Sequence, residues 1–416
     1  MQKFYLHSSR LIFFLAFLFV FQNAEAKTID VCKECNSTTI QKGIDKSSAG
    51  DTIRIASGIY YEHNILIDKP ITVVGIDMPT VDGEEQGGIF SISADGVSLI
   101  GLKVINVGVS FTSDFAAVYL SRCSDFTLKN LVLEDLFFGF LIEKSSNGLV
   151  EGNKIIGEAK DEYNSGNGIH LWYSNNIKIY NNHIEGVRDG IYLEFADTID
   201  VKRNVSKNNL RYGLHFMFSN NDEYSENIFQ NNGAGVAVMF SKHIRMYKNE
   251  FRDNWGTASF GLLLKEINDL EVIDNTFSNN TIAISVEGAN RVNYRSNTFS
   301  SNGWAIKVRG ACYSNRFQAN EFLNNSFDLS YNSRINDNLF EGNYWSQYSG
   351  YDLDRDGVGD VPYRPVKLFS YIVNRTPEAI VLLRSLFIDI IDFSEKVSPV
   401  FTPDELKDEK PLMKPL

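Results

Sequence analysis

Three groups of side chains in this sequence are of a type and spacing that could do chemistry. The first is soft. Glycines set off short alternating runs at Gly168-Ile-His-Leu, Gly190-Ile-Tyr-Leu, Gly213-Leu-His-Phe, Gly235-Val-Ala-Val and Gly261-Leu-Leu-Leu. Successive residues of a strand point to opposite faces. Aligned at the glycine, the outward positions form two columns: His170, Tyr192, His215, Ala237, Leu263, and Trp172, Glu194, Met217, Met239, Lys265. Neighbours on one face lie about 7 Å apart along a strand and about 5 Å apart across strands. His215, Met217 and Met239 then share one patch, with His170, Glu194 and Trp172 on the rungs before it. Imidazole with thioether is a donor set that favours Cu(I), whereas carboxylates alone favour magnesium or calcium. The chain has only 6 methionines, so two on an outer face need a reason. The plainer one is apolar surface beneath a loop or a partner. His243 and Met246 fall on the next strand and weigh less.

The second group is hard. Asp352-Leu-Asp354-Arg-Asp356-Gly357-Val-Gly359-Asp360 places carboxylates at alternate positions and a glycine at the sixth, the chemistry of a calcium loop around a sharp turn. Tyr363 stands where an EF-hand carries its glutamate, so the loop is no EF-hand. Calcium there would fasten the last rung and an Asn343-Tyr-Trp-Ser346 strap. The third group is Cys32-Lys-Glu-Cys35, open to three readings: a copper or zinc half-site, a redox pair or a structural disulfide. In an oxidising compartment the disulfide is the commoner outcome. Cys123 and Cys312 stand alone.

What must position these groups is a repeat. Asn130, Asn153, Asn182, Asn204, Asn227, Asn249, Asn275, Asn297, Asn320 and Asn338 recur mostly about 22 to 26 residues apart, each followed within two places by an apolar residue. Alternating apolar pairs such as Ile169/Leu171, Ile191/Leu193 and Leu214/Phe216 have the period of a strand with one buried face. Asn, Asp, Ser and Gly break the runs, as turn residues do. Three short strands per unit, stacked unit on unit, make a right-handed single-stranded parallel β-helix. A leucine-rich horseshoe would need a Leu-x-x-Leu-x-Leu consensus that is absent, and a propeller needs a period near 40 or more. Stacked turn asparagines are expected to bond amide to amide.

The ends complete the layout. Lys3 and Arg10 precede an apolar block, Leu11 to Phe21, and then Ala24-Glu25-Ala26, the pattern of a cleavable export leader. The block is about half the roughly 20 residues that span a bilayer. The expected divisions are 1–26 leader, 27–50 amino-terminal cap with a short helix near Thr39 to Ile44, 51–345 β-helix, 346–366 calcium-like loop and strap, and 367–416 carboxyl-terminal helix and tail. The helix is expected to start at Thr376-Pro377-Glu378 and to run through Leu382, Leu386, Ile390 and Phe393. Arg384, Asp389 and Asp392 interrupt its apolar run, which argues against a membrane span. It either packs along the solenoid or offers an apolar face to a membrane-embedded partner. A net charge of -12 argues against nucleic acid, whose phosphates demand a basic face.

Taken together, Gly50-Asp51-Thr52-Ile53, the Asp189-Gly-Ile-Tyr-Leu-Glu194, Arg211-Tyr-Gly-Leu-His-Phe-Met-Phe-Ser219 and Val238-Met-Phe-Ser241 rungs, Gly342-Asn-Tyr-Trp345, Asp352 to Arg364 and the Pro-Leu-Met ending resemble the NosD type of periplasmic maturation protein of nitrous oxide reductase. The likeness covers nearly the whole chain after the leader. It implies a non-enzymatic periplasmic assembly factor that handles copper, with or without sulfur. Its implied partners are an inner-membrane ABC transporter permease, a copper chaperone lipoprotein and the reductase apoprotein. On this chain the His215/Met217/Met239 edge is the expected copper-handling surface and the Thr376 to Lys396 segment the expected transporter dock. The rival is a β-helix polysaccharide lyase, hydrolase or epimerase. Such an enzyme sets two carboxylates, or a base beside a charge neutraliser, on an outer groove, and Glu194 has no evident acidic neighbour in the columns.

Overall fold

In the computed structural model, residues 26–110, 112–332, 337–383, 385–397 and 406–416 are described. The expected export leader lies outside the described residues. The rest is an all-β parallel solenoid. One rung consists of strands Tyr212–Met217, Glu223–Ser225 and Ile228–Gln230; the next consists of Ala234–Met239, Lys242–Tyr247 and Glu250–Arg252. Each strand pairs in parallel with its equivalent, so Leu214 meets Val236, His215 meets Ala237 and Met217 meets Met239. One face of the stack is a 13-stranded sheet. The other two merge into a 24-stranded sheet, because strands Leu262–Ile273 and Ile282–Arg295 run through the corner between them.

The inward residues explain why the coils stay in register. Leu214, Phe216, Val236 and Val238 are fully buried. Farther along, Phe251, Phe277, Phe299, Phe322 and Trp345 stack ring on ring at 4.5, 5.1, 4.9 and 4.0 Å. A slip of one residue would turn every such side chain outward, so the column of rings fixes the coil length.

Asparagine ladders run beside the core. Asn153, Asn182, Asn204, Asn227, Asn249, Asn275, Asn297, Asn320 and Asn343 are buried. Each amide NH2 reaches the next Asn Oδ1 at about 3 Å, as from Asn204 to Asn227 (3.0 Å) and from Asn227 to Asn249 (2.9 Å). Two of the expected anchors do not belong to this column. Asn130 is an exposed turn residue at φ 53°, and its neighbour Leu131 donates its amide to Asn153 Oδ1 (2.9 Å). Asn338 instead accepts from Asn315 N (3.0 Å) in a separate column. A second ladder, Asn209, Asn232, Asn254, Asn280, Asn302 and Asn325, runs parallel to the first. Its sequence signal is the repeated Asn-x4-Asn of Asn204/Asn209, Asn227/Asn232 and Asn249/Asn254.

Both ends of the stack are closed. At the front, helix α1 (Ile40–Lys46) is capped by Thr39, whose side chain accepts from Lys42 N, and it buries Ile40 and Ile44. A Cβ at Gly43 would stand 2.6 Å from Val31 Cγ2, so only glycine lets the helix lie on the first rung. At the back, the expected strap is itself the last rung, Tyr344–Trp345 pairing with Glu321 and Phe322. The tail then continues the ladder with a carboxylate. Buried Asp408 accepts from Asn343 N (3.0 Å), Asn343 Nδ2 (2.9 Å) and Trp345 Nε1 (3.0 Å). Pro411, Leu412 and Met413 are stitched between Asn343 and the acidic loop.

The carboxyl-terminal helix differs from the expectation. In place of one helix from Thr376, there are α2 (Leu368–Arg375), a 3-10 turn (Pro377–Leu382) and α3 (Leu386–Val397). Pro377 has no amide hydrogen and cannot continue α2, so the helix stops and restarts. Phe369, Val373 and Ile388 pack on Ile282, Trp304 and Phe327 of the 24-stranded sheet.

Candidate functional site

The outer face of that sheet carries the soft residues, held by the strand register. His170, Tyr192 and His215 are successive partners in one column, and Trp172, Glu194, Met217 and Met239 in the other. Met217 and Met239 are direct cross-strand partners, with His215 two residues before Met217 on the same face. The rings of His170, Tyr192 and His215 stack at 4.7 and 4.6 Å. Tyr192 therefore stands between the two histidines, which keeps His170 from sharing one ion with His215. His170 instead lies 3.8 Å from Glu194. The structure thus divides the five expected ligands into two neighbouring sets, His170/Glu194 and His215/Met217/Met239. Met246 is buried in the core and His243 sits 3.8 Å from Asp269 on another face, so neither joins the patch.

His215 is set by residues the sequence did not single out for a role. Asp189, at the rung position just before Gly190, is fully buried. It accepts from Arg211 Nε (3.0 Å) and Nη2 (2.6 Å), and His215 Nδ1 lies 3.6 Å from its Oδ2. Burial alone would raise the Asp189 carboxyl, but His215 and Arg211 hold it below the ordinary value. Arg211 Nη2 also lies 3.5 Å from His215 Nδ1, yet that guanidinium is already committed to Asp189 by two shorter bonds. With Nδ1–H turned to Asp189, the Nε2 lone pair is left; Nε2 is buried and has no hydrogen-bond partner. A carboxylate on one imidazole nitrogen is the arrangement that orients the other toward a metal. The sequence carries no repeated signal for it: Asn167 and Asp189 precede their glycines, but Tyr212, Ala234 and Phe260 stand at the same place in the later rungs.

The thioethers are half-buried. Tyr192 donates to Met217 Sδ at 3.7 Å, and its hydroxyl is pushed up to about 12 by burial and by the charges of Glu194 and Asp189. It stays a neutral donor that a soft metal could displace. His170 holds Glu194 below the ordinary carboxylate value against the opposing effect of burial. Asp189, the other carboxylate beside Tyr192, is committed to Arg211, so the face suits ligand exchange better than acid–base chemistry.

The other two groups lie elsewhere. Cys32 and Cys35 form a disulfide, so their thiolates are not open to a metal. In the acidic loop, ligand atoms of Asp352, Asp354 and Asp356 lie within 4.8 Å of one another. Asp360 is not among them; it caps Leu353 N at 2.7 Å. Asp352 takes the amides of Arg355, Asp356 and Gly357. Asp354 titrates above its ordinary value: the Asp356 amide lowers it, but the Asp356 charge, burial and the carboxyls around it outweigh that bond.

Residues 154–350 match the family model described as periplasmic copper-binding protein (NosD). A probable ABC transporter binding protein NosD from Pseudomonas aeruginosa is 26% identical over 373 residues, covering 85% of this chain and 86% of its own. Its namesake from Stutzerimonas stutzeri is 26% identical over 374 residues, covering 85% of each. Among solved structures, the A-module of the mannuronan C-5 epimerase AlgE4 from Azotobacter vinelandii has a TM-score of 0.56 at 13% identity, covering 71% of this chain and 94% of its own. PfbA, a surface adhesin of Streptococcus pneumoniae, gives 0.56 at 13% identity, covering 74% and 89%. An epimerase and an adhesin at that identity share the solenoid and nothing further.

Proposed function

We propose that the chain is a NosD-type protein and acts as a periplasmic assembly factor, not an enzyme, that takes Cu(I) as cargo for nitrous oxide reductase. The cargo surface is His215, Met217 and Met239, with His170 and Glu194 as a neighbouring set. One observation carries the reading: a buried imidazole, oriented by Asp189 and left with an unpartnered nitrogen, lies beside two thioethers in strand register. A copper-transfer assay tests it. Purified chain loaded with Cu(I) is mixed with reductase apoprotein, and the metal acquired is measured. The Met217→Ala/Met239→Ala variant should transfer at least about tenfold less, the loss expected when soft ligands are removed; equal transfer would overturn the reading.

Partnership with an ABC transporter permease is supported by the name that the relatives carry and by the outer face of the terminal helices. Val381, Leu386 and Phe393 are 83, 74 and 69% exposed, while the opposite face packs on the solenoid. Apolar patches of this kind mark contact surfaces. No described helix is long and apolar enough to cross a membrane. A Leu386→Glu/Phe393→Glu variant should lose co-purification with the transporter and keep its far-UV signal. Retained co-purification would make the helices a cover only. Removing everything after Pro365 is a poorer test, since it also strips Asp408 from the end of the ladder. A copper chaperone lipoprotein is the donor in this scheme. Calcium in the acidic loop is structural: the loop's mutually repelling carboxylates gain from a hard cation, and Val358 of the loop bridges to Leu412 of the tail.

A further inference from the structure

One turn column stands apart: among the described residues, every Phe, Tyr or Trp at positive φ falls in it. The residue at the corner that closes the sheet face just described has a positive φ, which suits glycine, asparagine or a short polar residue. Along the stack this position reads Arg122, Lys144, Tyr173, Phe195, Phe218, Phe240, Glu266, Gly288 and Gly310, with φ between 49° and 70°. Four consecutive rungs thus carry bulky rings in a backbone conformation that disfavours them. These are the rungs of His170, Glu194, Met217 and Met239. The rings are 49, 39, 40 and 40% exposed, so the core does not require them. They stack face to face at 4.7, 5.1 and 5.1 Å, with interplanar angles of 14, 4 and 16°.

Stacking decides what such a surface can hold. The faces of Phe195 and Phe218 are both covered by neighbouring rings, and Trp172 stands perpendicular to Tyr173 at 4.8 Å. Sugars and nucleobases stack on ring faces, and the inner faces are spent. What the ladder offers is a row of ring edges, which carry the positive end of the quadrupole. Thioether sulfur settles at ring edges, and the column beside the ladder is itself Glu194, Met217, Met239. Building on the copper reading above, we propose that the Tyr173–Phe195–Phe218–Phe240 ladder is a docking strip for a methionine-bearing extended segment of the partner protein that exchanges Cu(I) with this chain. The strip brings the partner's thioethers alongside Met217 and Met239, so that the ion passes between like ligands without entering water.

The test uses purified protein and a synthetic ten-residue peptide with methionine at alternate positions, its methionine-to-serine counterpart, and an oligomannuronate. Binding is read by titration without metal. The methionine peptide should bind at least about tenfold tighter than the serine peptide, and Phe195→Asn/Phe218→Asn should weaken it by about tenfold or more, a hot-spot loss. Asparagine is at ease at positive φ, so this variant keeps its fold. Equal binding by that variant, no binding of the methionine peptide to the wild type, or preferential binding of the oligomannuronate would each overturn the proposal. Cu(I) affinity measured without peptide separates the two ideas. Phe195→Asn/Phe218→Asn should leave it unchanged. If Met217→Ala/Met239→Ala also leaves it unchanged, the copper surface fails while the docking result stands.

Discussion

Two columns of like residues turn the chain at two corners of the solenoid, and they behave in opposite ways. The asparagines from Asn153 to Asn343 are buried, and each amide is bonded to the next. The rings from Tyr173 to Phe240 are about 40% exposed or more, stack on one another with Trp172 set edge-on at Tyr173, and cover four rungs. The first column satisfies backbone groups that would otherwise be orphaned inside the protein. The second answers no need of the fold and occupies conformations that cost about 1–3 kcal/mol each for residues other than glycine. Repetition through the whole stack marks structure. Repetition confined to a few rungs, against local preference, marks a surface kept for something else.

The sharpest way to break that contrast is to remove one member from each column. Asn227→Ala should cost about 3–5 kcal/mol, seen as a lower denaturant midpoint, because it strands Asn204 N in the interior and takes one bond each from Asn204 Nδ2, Asn249 Oδ1 and Val201 O. A loss below about 1 kcal/mol would mean that the ladder is decoration.

Next in size is Asp189→Asn, expected to cost about 3 kcal/mol because it leaves half-buried Arg211 without its carboxylate. Its folded carboxyl titrates below the ordinary value. Wild-type Asp189 therefore contributes its stability above the ordinary carboxylate range, and loses it as pH falls through the folded value. The acid limb of the stability profile should flatten in the variant; an unchanged limb would show that Asp189 is not paired as described.

Asp222 carries the opposite sign. Burial pushes it up to about 7, with help from the charge of Asp197 and against the bonds from Ser219 and Ile199. The folded chain keeps a proton that the unfolded chain has released. This contribution is complete below the ordinary carboxylate range, declines as pH rises and is gone above about 7. Asp222→Asn should therefore remove on the order of 2 kcal/mol of the stability difference between about pH 5 and about pH 8.

Smallest of all, Phe218→Asn should change stability by no more than about 0.5 kcal/mol, since the lost stacking and the relieved φ oppose each other. A loss as large as that of Asn227→Ala would erase the distinction between the two columns.

Much of this was legible in the residues. The glycine-anchored runs gave the outward columns in their true order, because a strand alternates strictly and the rungs repeat in register. The pairing of Met217 with Met239 follows from spacing alone. What escaped lies across larger separations or depends on facing. Asp408 completes the ladder 65 residues after Asn343, and no local pattern announces a carboxylate in an amide column. Asn130 has the right type but stands one place too early, where the backbone turns outward. Tyr192 comes between His170 and His215 because adjacent rungs are also adjacent in the ring stack, a separation visible in the alignment yet easily passed over when ligands are grouped by type. Pro377 does open a helical segment, but only a 3-10 turn, and the sequence does not show that the same proline also ends the helix Leu368–Arg375 or that regular helix resumes at Leu386.

The most direct measurement is a Cu(I) titration of the purified chain against a competing chromophoric chelator, comparing wild type with Met217→Ala/Met239→Ala and with His215→Ala. Both variants should bind Cu(I) at least about tenfold more weakly while keeping the wild-type far-UV signal, as expected when soft ligands leave an intact scaffold. Wild-type affinity in either variant would contradict the assignment of the copper surface.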